Sequence, residues 1–260
     1  MRSSLLFLIL PIVLISCRSD IILPTSSHIE KVESHGIRRY AFIKYSKGKF
    51  ICNNKEITDF KSFRLNWYEY IIPNDGSNIV AIALQCPKNT DYNTIDSILN
   101  ALRKQKLLRI AFMTNAIEDS VGIIHTIPPL ETPSFMWTVD TLNPNIQDFS
   151  IRDNHIYLDD SFYNSSDLKN QLAAIIGSDS IYLRINLSSN NKYQDLITLL
   201  DSYYTAYDKY LNDLSFIHFQ EKYDSLKWQE KHYLEEYASR KKIGIRLKHI
   251  NEDTRETIYW

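Results

Sequence analysis

Few of the residue patterns that mark common enzymes occur in this chain. Only six glycines are present among 260 residues, and none of them belongs to a Gly-rich loop that would cradle phosphate. The seven histidines are scattered without metal-ligand spacing, and there is no GxSxG nucleophile motif. We therefore predict no catalytic, cofactor-binding or metal-binding residue and expect a protein that is not an enzyme. The alternative is an enzyme whose site lies at an interface between domains.

An excess of charge of one sign is also absent. The chain has 30 basic and 31 acidic residues, which gives a formal net charge of -1. A protein that binds nucleic acid normally needs a one-sided basic surface that neutralises phosphates. The balance of charge therefore argues against a nucleic-acid partner and indicates that any charged function is local.

The apolar run at the N-terminus is too short to cross a membrane. It extends from Leu5 to Ile15, about eleven residues, whereas a bilayer-crossing helix needs roughly twenty. A basic residue before the run and a small residue after it are typical of an export signal. The tetrapeptide LISC at 14–17 resembles the bacterial lipobox, in which the cysteine is acylated and becomes the mature N-terminus. An ordinary secretory signal with an incidental Cys17 is the alternative.

The lipobox resemblance implies where the protein lies in the cell. Residues 1–17 are then a lipoprotein signal peptide with Cys17 as the lipidation site, and residues 18–36 are a tether between lipid and first domain. We expect a lipoprotein of the cell envelope that faces the periplasm and is attached to a membrane through its lipid.

Two stretches, 79–102 and 179–203, carry the same pattern of an alternating apolar strand, a polar turn and a tyrosine that opens an amphipathic helix. A shift of 101 positions places Tyr92 on Tyr193 and matches the apolar positions. A duplicated module predicts a tandem pair of small domains. The matched strand positions are Val80, Ile82, Leu84 and Cys86 with Ile181, Leu183, Ile185 and Leu187, and the matched helix positions are Ile95, Ile98, Leu99 and Leu102 with Leu196, Leu199, Leu200 and Tyr203.

Each module reads as strand, helix, strand, helix, strand, with the last strand expected at 107–114 in the first copy and 214–219 in the second. Such a unit forms a mixed sheet covered on one face by two helices, so the predicted fold class is α+β with two tandem domains. The predicted segments are domain one at 37–118, a proline-rich linker at 119–150, domain two at 151–219, and a C-terminal helix and strand extension at 220–260.

Two cysteines lie on predicted strands of the first copy. An envelope compartment permits disulfides, so Cys52 and Cys86 are candidates for a bridge. Their counterparts in the second copy are Leu158 and Leu187, which favours the alternative of buried free thiols in the core. The sequence leaves both possibilities open.

Two groups of side chains are candidate binding surfaces. Tyr203, Tyr207 and Tyr210 recur at helical spacing and form either an exposed aromatic surface or a helix face that packs on the sheet. A basic cluster would suit anionic lipid or peptidoglycan carboxylates, although basic residues are also favoured at a helix C-terminus. Its members are Arg240, Lys241, Lys242, Arg246 and Lys248.

The repeat unit resembles the periplasmic domain of the ExbD/TolR family of biopolymer transport proteins. In the second copy the match runs through HIYLDDSFYNSSDLKNQL, SIYLRINLSSNNKYQDLITLLDSY and LSFIHF. In the first copy it runs through KFICNNKEIT, IVAIALQCPKNTDYNTIDSILNALRKQ and LLRIAFMT. Family members that use the proton gradient carry an aspartate inside a transmembrane helix, which this sequence does not show. The resemblance therefore implies the fold and no catalytic residue.

The resemblance also implies a function. It indicates a non-enzymatic, lipid-anchored envelope protein that binds or scaffolds within a biopolymer-transport or energy-transduction assembly of the TonB-ExbB-ExbD type. The expected partners are envelope proteins, peptidoglycan or a second copy of the chain, and exposed edge strands are expected to accept a partner strand. The alternative is a peptidoglycan-binding envelope lipoprotein that uses the tyrosine and basic surfaces.

Overall fold

The same order of strands occurs twice along the chain. A computed structural model of the protein describes residues 22–27, 30–31, 39–52, 55–59, 80–105, 107–114, 121–126, 145–178, 181–240, 245–250 and 257–259. Over these residues it is an α+β protein with two mixed sheets and four α-helices. Within the same residues, no helix is both long enough and apolar enough to cross a bilayer.

The first sheet contains seven strands. They are β1 (Glu30–Lys31), β2 (Arg39–Ser46), β3 (Lys49–Cys52), β4 (Lys55–Glu56), β5 (Val80–Gln85), β6 (Arg109–Met113) and β7 (Val121–Thr126). Their spatial order is β1-β7-β6-β5-β2-β3-β4, in which β2, β5 and β6 are parallel and the other neighbours antiparallel. Helix α1 (Tyr92–Lys104) makes the crossover that the parallel pair β5 and β6 requires.

The second sheet repeats this arrangement with six strands. They are β8 (Asn145–Arg152), β9 (His155–Leu158), β10 (Ser161–Phe162), β11 (Ile181–Ile185), β12 (Ile245–Ile250) and β13 (Thr257–Tyr259), in the spatial order β10-β9-β8-β11-β12-β13. Its helices are α2 (Ser165–Gly177), α3 (Tyr193–Phe219) and α4 (Trp228–Arg240). A counterpart of β1 does not occur beside β13 within the described part of the chain.

Strand register shows that the two sheets correspond residue by residue. Ile43 on β2 lies opposite Cys52 on one side and Leu84 on the other. In the second sheet Phe149 takes the place of Ile43 and lies opposite Leu158. All of these side chains are buried, so the part of the sequence that repeats is the core.

The tyrosine-headed helices pack through the apolar positions that the sequence predicts. Every helix position matched by the 101-residue shift is buried, from Ile95 to Leu102 in α1 and from Leu196 to Tyr203 in α3. The carboxylate of Asp195 accepts a hydrogen bond from the backbone N–H of Lys192 at 2.8 Å and so fixes the start of α3.

The end of the second copy differs from the prediction. Residues 214–219, which were expected as its last strand, are helical and form the final turns of α3. Their place in the sheet is taken by β12, which runs parallel to β11 as β6 runs parallel to β5. The prediction was wrong because a six-residue apolar run fits a strand and a helix equally well.

The segment boundaries shift accordingly. Residues 220–260, expected as an extension, supply β12 and β13 to the second sheet, and residues 119–150, expected as a linker, contain β7 and most of β8. The helix expected between β4 and β5 lies outside the described residues, so the two-helix cover of the first sheet stays a prediction.

The polar turns and the tyrosines of the two repeats meet each other. The backbone N–H of Tyr92 donates to the Asn191 carbonyl at 2.9 Å, and the N–H of Tyr193 donates to the Thr90 carbonyl at 2.8 Å. Under the 101-residue shift Tyr92 corresponds to Tyr193 and Thr90 to Asn191, so the two hydrogen bonds are equivalent. The repeats therefore pair about a local pseudo-twofold axis, in the manner of the isologous contact of a homodimer.

Tyr193 connects this junction to the core of the first repeat. Its side chain is fully buried, its hydroxyl donates to the Leu84 carbonyl at 3.4 Å, and its ring centroid lies 6.3 Å from that of Phe112. At the rim, Asp91 and Lys192 form an ion pair whose side chains are 62% and 46% exposed. Because exposed ion pairs contribute little, the buried ring and the backbone bonds hold the repeats together.

Candidate functional site

The second repeat departs from the first in a helical hairpin. Helix α3 has 27 residues where α1 has 13, and it continues well past Tyr203, the counterpart of Leu102. A 3-10 turn at Tyr223–Ser225 reverses the chain, and α4 then runs back. At 1.5 Å per residue, α3 is about 40 Å long. The hairpin is inserted at a point where the first repeat passes directly from helix to strand.

The hairpin is internally packed. Leu234 and Ala238 of α4 are fully buried, and the Tyr223 hydroxyl donates a hydrogen bond to the Glu235 carboxylate. Burial, and then this hydrogen bond to a charged group, raise the pKa of Tyr223. The ammonium group of Lys231 lies 5.4 Å from the centre of the same ring. The backbone N–H of Tyr223 donates to the Asn212 side-chain oxygen of α3 at 3.1 Å, so the turn is held to both helices of the hairpin.

The far end of the hairpin exposes large apolar side chains. Ile217 follows Tyr210 by seven residues, two turns along one face of α3, yet Ile217 is 74% exposed and Tyr210 only 7%. The apolar stripe of α3 therefore extends beyond the core that covers it. Trp228, at the start of α4, is 75% exposed. We call this surface the hairpin tip; its members are Phe216, Ile217, His218, Phe219, Trp228, His232, Tyr233 and Tyr237.

Aromatic rings line the hairpin tip around a shallow, open cavity of about 400 Å³. The His218 ring meets the rings of Tyr233 and Tyr237 edge-on, with centroids 5.9 Å and 5.5 Å away. Gln229 and Glu230 supply polar groups to the lining. A cavity lined by aromatic rings and two polar side chains suits the binding of apolar or aromatic groups by contact and stacking.

Metal binding finds no support in the described ranges, since no group of three His, Cys, Asp or Glu side chains there could hold an ion. His232, one of the two histidines of the hairpin tip, stacks on Trp228 with ring centroids 5.3 Å apart. The two histidines thus contribute aromatic surface to the hairpin tip.

The predicted tyrosine surface is not an open one. Tyr203 and Tyr210 are buried and Tyr207 is half-buried, and the rings of Tyr203 and Tyr207 stack with centroids 6.3 Å apart. Burial raises the pKa of Tyr207 to about 12, with smaller contributions from Glu235 and neighbouring groups. The structure therefore agrees with the alternative of a helix face packed inside the protein.

Only three members of the predicted basic cluster lie within the described residues. Arg240 is the last residue of α4, and Arg246 and Lys248 lie two positions apart on β12. Lys241 and Lys242 lie outside the described residues, as does the predicted lipidation site Cys17.

Both predicted disulfide residues are free thiols in the structure, which matches the core alternative rather than a bridge. Cys52 and Cys86 are fully buried. Burial raises the pKa of the Cys52 thiol to about 11 and also raises that of Cys86. Because the thiolate is the reactive form, these residues are structural rather than nucleophilic.

The hairpin tip was not among the sequence-predicted sites. Phe216 and Ile217 had been placed on a strand, and Trp228 in a helical extension with no assigned role. The sequence did contain a signal for a longer helix. Tyr203, Tyr210 and Ile217 follow one another at seven-residue spacing on one helix face, and this apolar stripe continues beyond the point where the matching helix of the first repeat ends.

Comparison with known proteins does not assign this chain to a family. No family model matches the chain, and no curated protein and no solved structure matches it at a significant level.

Proposed function

We propose that the protein is a non-enzymatic, lipid-anchored protein of the cell envelope that binds another envelope protein through its hairpin tip. The observation that carries the proposal is the exposed aromatic surface on the hairpin, which has no counterpart in the described residues of the first repeat. Protein-protein contacts are enriched in aromatic side chains at their centre, and an exposed apolar patch with a polar rim marks such a surface.

The partner in this proposal belongs to a biopolymer-transport or energy-transduction assembly, in line with the ExbD/TolR resemblance. Support comes from the order of elements in each repeat, where two antiparallel strands precede a parallel strand, a tyrosine-headed helix and a further parallel strand. In the second repeat this last strand is β12 rather than the segment on which the resemblance was first based. The periplasmic location and the lipid on Cys17 belong to the same proposal.

Binding at the hairpin tip replaces the mechanism expected from the sequence, in which a partner strand adds to a sheet edge. The edge strands β4 and β10 have two residues each, and an ion pair of 2.6 Å joins Lys49 to Glu56 on the outer strands of the first sheet. Short length protects both edges against strand addition, and charge adds to this protection at β4. The hairpin tip offers a larger apolar contact.

Peptidoglycan binding is the second candidate, and one observation favours it. The cavity at the hairpin tip combines aromatic rings with Gln229 and Glu230, and sugars bind by stacking on rings beside hydrogen-bonding groups. The burial of Tyr203 and Tyr210 removes the tyrosines on which this alternative was first based.

A charged substitution in the hairpin tip tests protein binding against peptidoglycan binding. We expect Ile217→Asp to remove a transport-type or TonB-type protein from crosslinked, affinity-purified envelope complexes, because the variant places a carboxylate in the apolar contact. Gln171→Asp, on an exposed position of α2, is the matched control and should leave recovery unchanged. Recovery of no such protein with the unmodified chain would contradict the proposal. Sedimentation with purified peptidoglycan that is lost in the Ile217→Asp variant would support the second candidate instead.

A further inference from the structure

The segment that precedes the first sheet is docked on the second repeat. The backbone N–H of Thr25 donates to the Gln194 side-chain oxygen at 2.9 Å, and the Gln194 amide nitrogen donates back to the Thr25 carbonyl at 3.1 Å. The Asp201 carboxylate accepts hydrogen bonds from Ser26 Oγ at 2.6 Å and from the N–H and Oγ of Ser27 at 2.7 and 2.8 Å. Residues 22–27, predicted as part of a tether, are thus clamped to α3.

The direction of this segment follows the axis of α3. Gln194 lies in the first turn of the helix and Asp201 two turns later, so the chain from Thr25 to Ser27 runs toward the C-terminal end of α3. The described part of this segment begins at Ile22, here called the exit point, at the N-terminal end of α3. There the Ile22 carbonyl accepts a hydrogen bond from the N–H of Lys88 at 2.8 Å.

The surface around this exit point is polar. It is formed by Ile22 and by the two turns that meet at the pseudo-twofold axis. We call it the exit face; its exposed members are Ile22, Lys88, Asn89, Ser188, Ser189 and Asn190. Apart from Ile22, which is 64% exposed, these are hydrogen-bonding or cationic side chains of the kind that lipid phosphates and headgroups accept.

The distance from the lipid anchor restricts the exit face to the membrane surface. Ile22 lies five positions after Cys17, and five Cα-to-Cα steps span at most about 18 Å in any conformation. Ile217, by contrast, lies 23 residues after Gln194 on the same helix, about 35 Å along its axis.

We propose that the exit face contacts the lipid headgroups of the membrane that carries the acyl anchor, so that α3 projects the hairpin tip away from that membrane. The inference rests on the proposed lipidation of Cys17. It deepens the proposed function, because a partner of the hairpin tip must then reach it from the side opposite the anchoring membrane.

The orientation is measured by energy transfer from labelled protein to a dye on lipid headgroups. The full-length acylated chain is placed in vesicles of phosphatidylethanolamine and phosphatidylglycerol and labelled at Asn89→Cys or at Ile217→Cys. The buried thiols Cys52 and Cys86 stay unlabelled in the folded protein, and the unsubstituted chain is the control for this. We expect several-fold stronger transfer from position 89 than from position 217.

Equal transfer from both positions would overturn the orientation, since α3 would then lie flat with the hairpin tip on the lipid. Stronger transfer from position 217 would overturn it as well. Asp201→Ala removes the acceptor that clamps the segment to α3, and we expect it to reduce the difference in energy transfer between the two labels.

Mass spectrometry of the purified chain distinguishes failure of the proposed lipid anchor from failure of the proposed orientation. Absence of acyl groups on Cys17 overturns the proposed anchor together with the orientation, whereas an acylated chain with equal transfer overturns the orientation alone.

Discussion

Tyr193→Ala tests whether the two repeats fold as one unit. Tyr193 belongs to the second repeat, but its ring packs beside Phe112 and its hydroxyl reaches the Leu84 carbonyl of the first. Replacing a fully buried aromatic side chain by alanine typically costs about 3–5 kcal/mol. Since native proteins are stable by only about 5–15 kcal/mol, this single change should remove a large part of the total.

Urea unfolding gives the measurement. With a slope near the upper end of the usual range, about 3 kcal/mol per molar urea, a loss of about 4 kcal/mol lowers the midpoint by about 1.3 M. Because Tyr193 contacts both cores, near-ultraviolet circular dichroism and tryptophan fluorescence should report one transition at the lower midpoint. Tyr193→Phe is the matched control, because it keeps the ring and loses only the long hydrogen bond, at a cost of about 1 kcal/mol.

Two results would refute this reasoning. A midpoint changed by less than about 0.3 M, equivalent to about 1 kcal/mol, would show that the ring is not part of a shared core. Two separate transitions in the variant, with the first repeat unfolding at the original midpoint, would show that the repeats are independent domains.

Three further predictions use the same unfolding assay. Lys192→Glu reverses one charge of an exposed ion pair, so we expect the free energy of unfolding to fall by less than about 1 kcal/mol. A fall as large as that of Tyr193→Ala would show that the ion pair, and not the buried ring, holds the repeats together. Gly122→Ala would place a Cβ atom 2.4 Å from the Phe112 carbonyl oxygen, so we expect a loss of about 1–3 kcal/mol, and an unchanged midpoint would mean that β7 does not pack this closely on β6. Burial raises the pKa of Cys52 from 9.0 in the unfolded chain to about 11 in the folded protein, and that of Tyr207 from 10.0 to about 12. The stability that the two neutral side chains provide is therefore complete below the unfolded pKa values. It is lost as the pH rises through the folded pKa values. The midpoint should therefore fall between about pH 9 and pH 12, and Tyr207→Phe should reduce the fall in its upper part.

The repeated core was predictable from sequence because its periodicity is local. Ile82 and Leu84 alternate on a strand, Ile95 and Leu99 recur at helical spacing, and both patterns recur in the second copy. The buried positions follow these patterns in the structure. The α+β class was therefore confirmed at the level of sheets and helices.

The contacts between repeats were not predictable in the same way. Tyr193 was predicted to open its helix, and nothing in its local sequence shows that its ring reaches Phe112, which is 81 positions earlier in the chain. Pairing of Asp91 with Lys192 requires the twofold arrangement to be known. Such contacts depend on how two completed sheets meet.

The hairpin tip was missed for a different reason. A short apolar run such as LSFIHF satisfies strand and helix patterns alike, and the resemblance favoured a strand at that point. Helix α3 continues through this run, and its residues Leu211, Leu214 and Ser215 are buried. The strand that runs parallel to β11 is instead formed by residues 245–250.

The proposed role of the hairpin tip is tested most directly by site-specific photocrosslinking in intact cells. A photoreactive amino acid replaces Ile217, which is exposed at the hairpin tip, or Gln171, which is exposed on α2. We predict a discrete adduct with one transport-type envelope protein from position 217 and no such adduct from position 171. Adducts from position 217 that contain only lipid or peptidoglycan, or an identical set of adducts from both positions, would contradict the account.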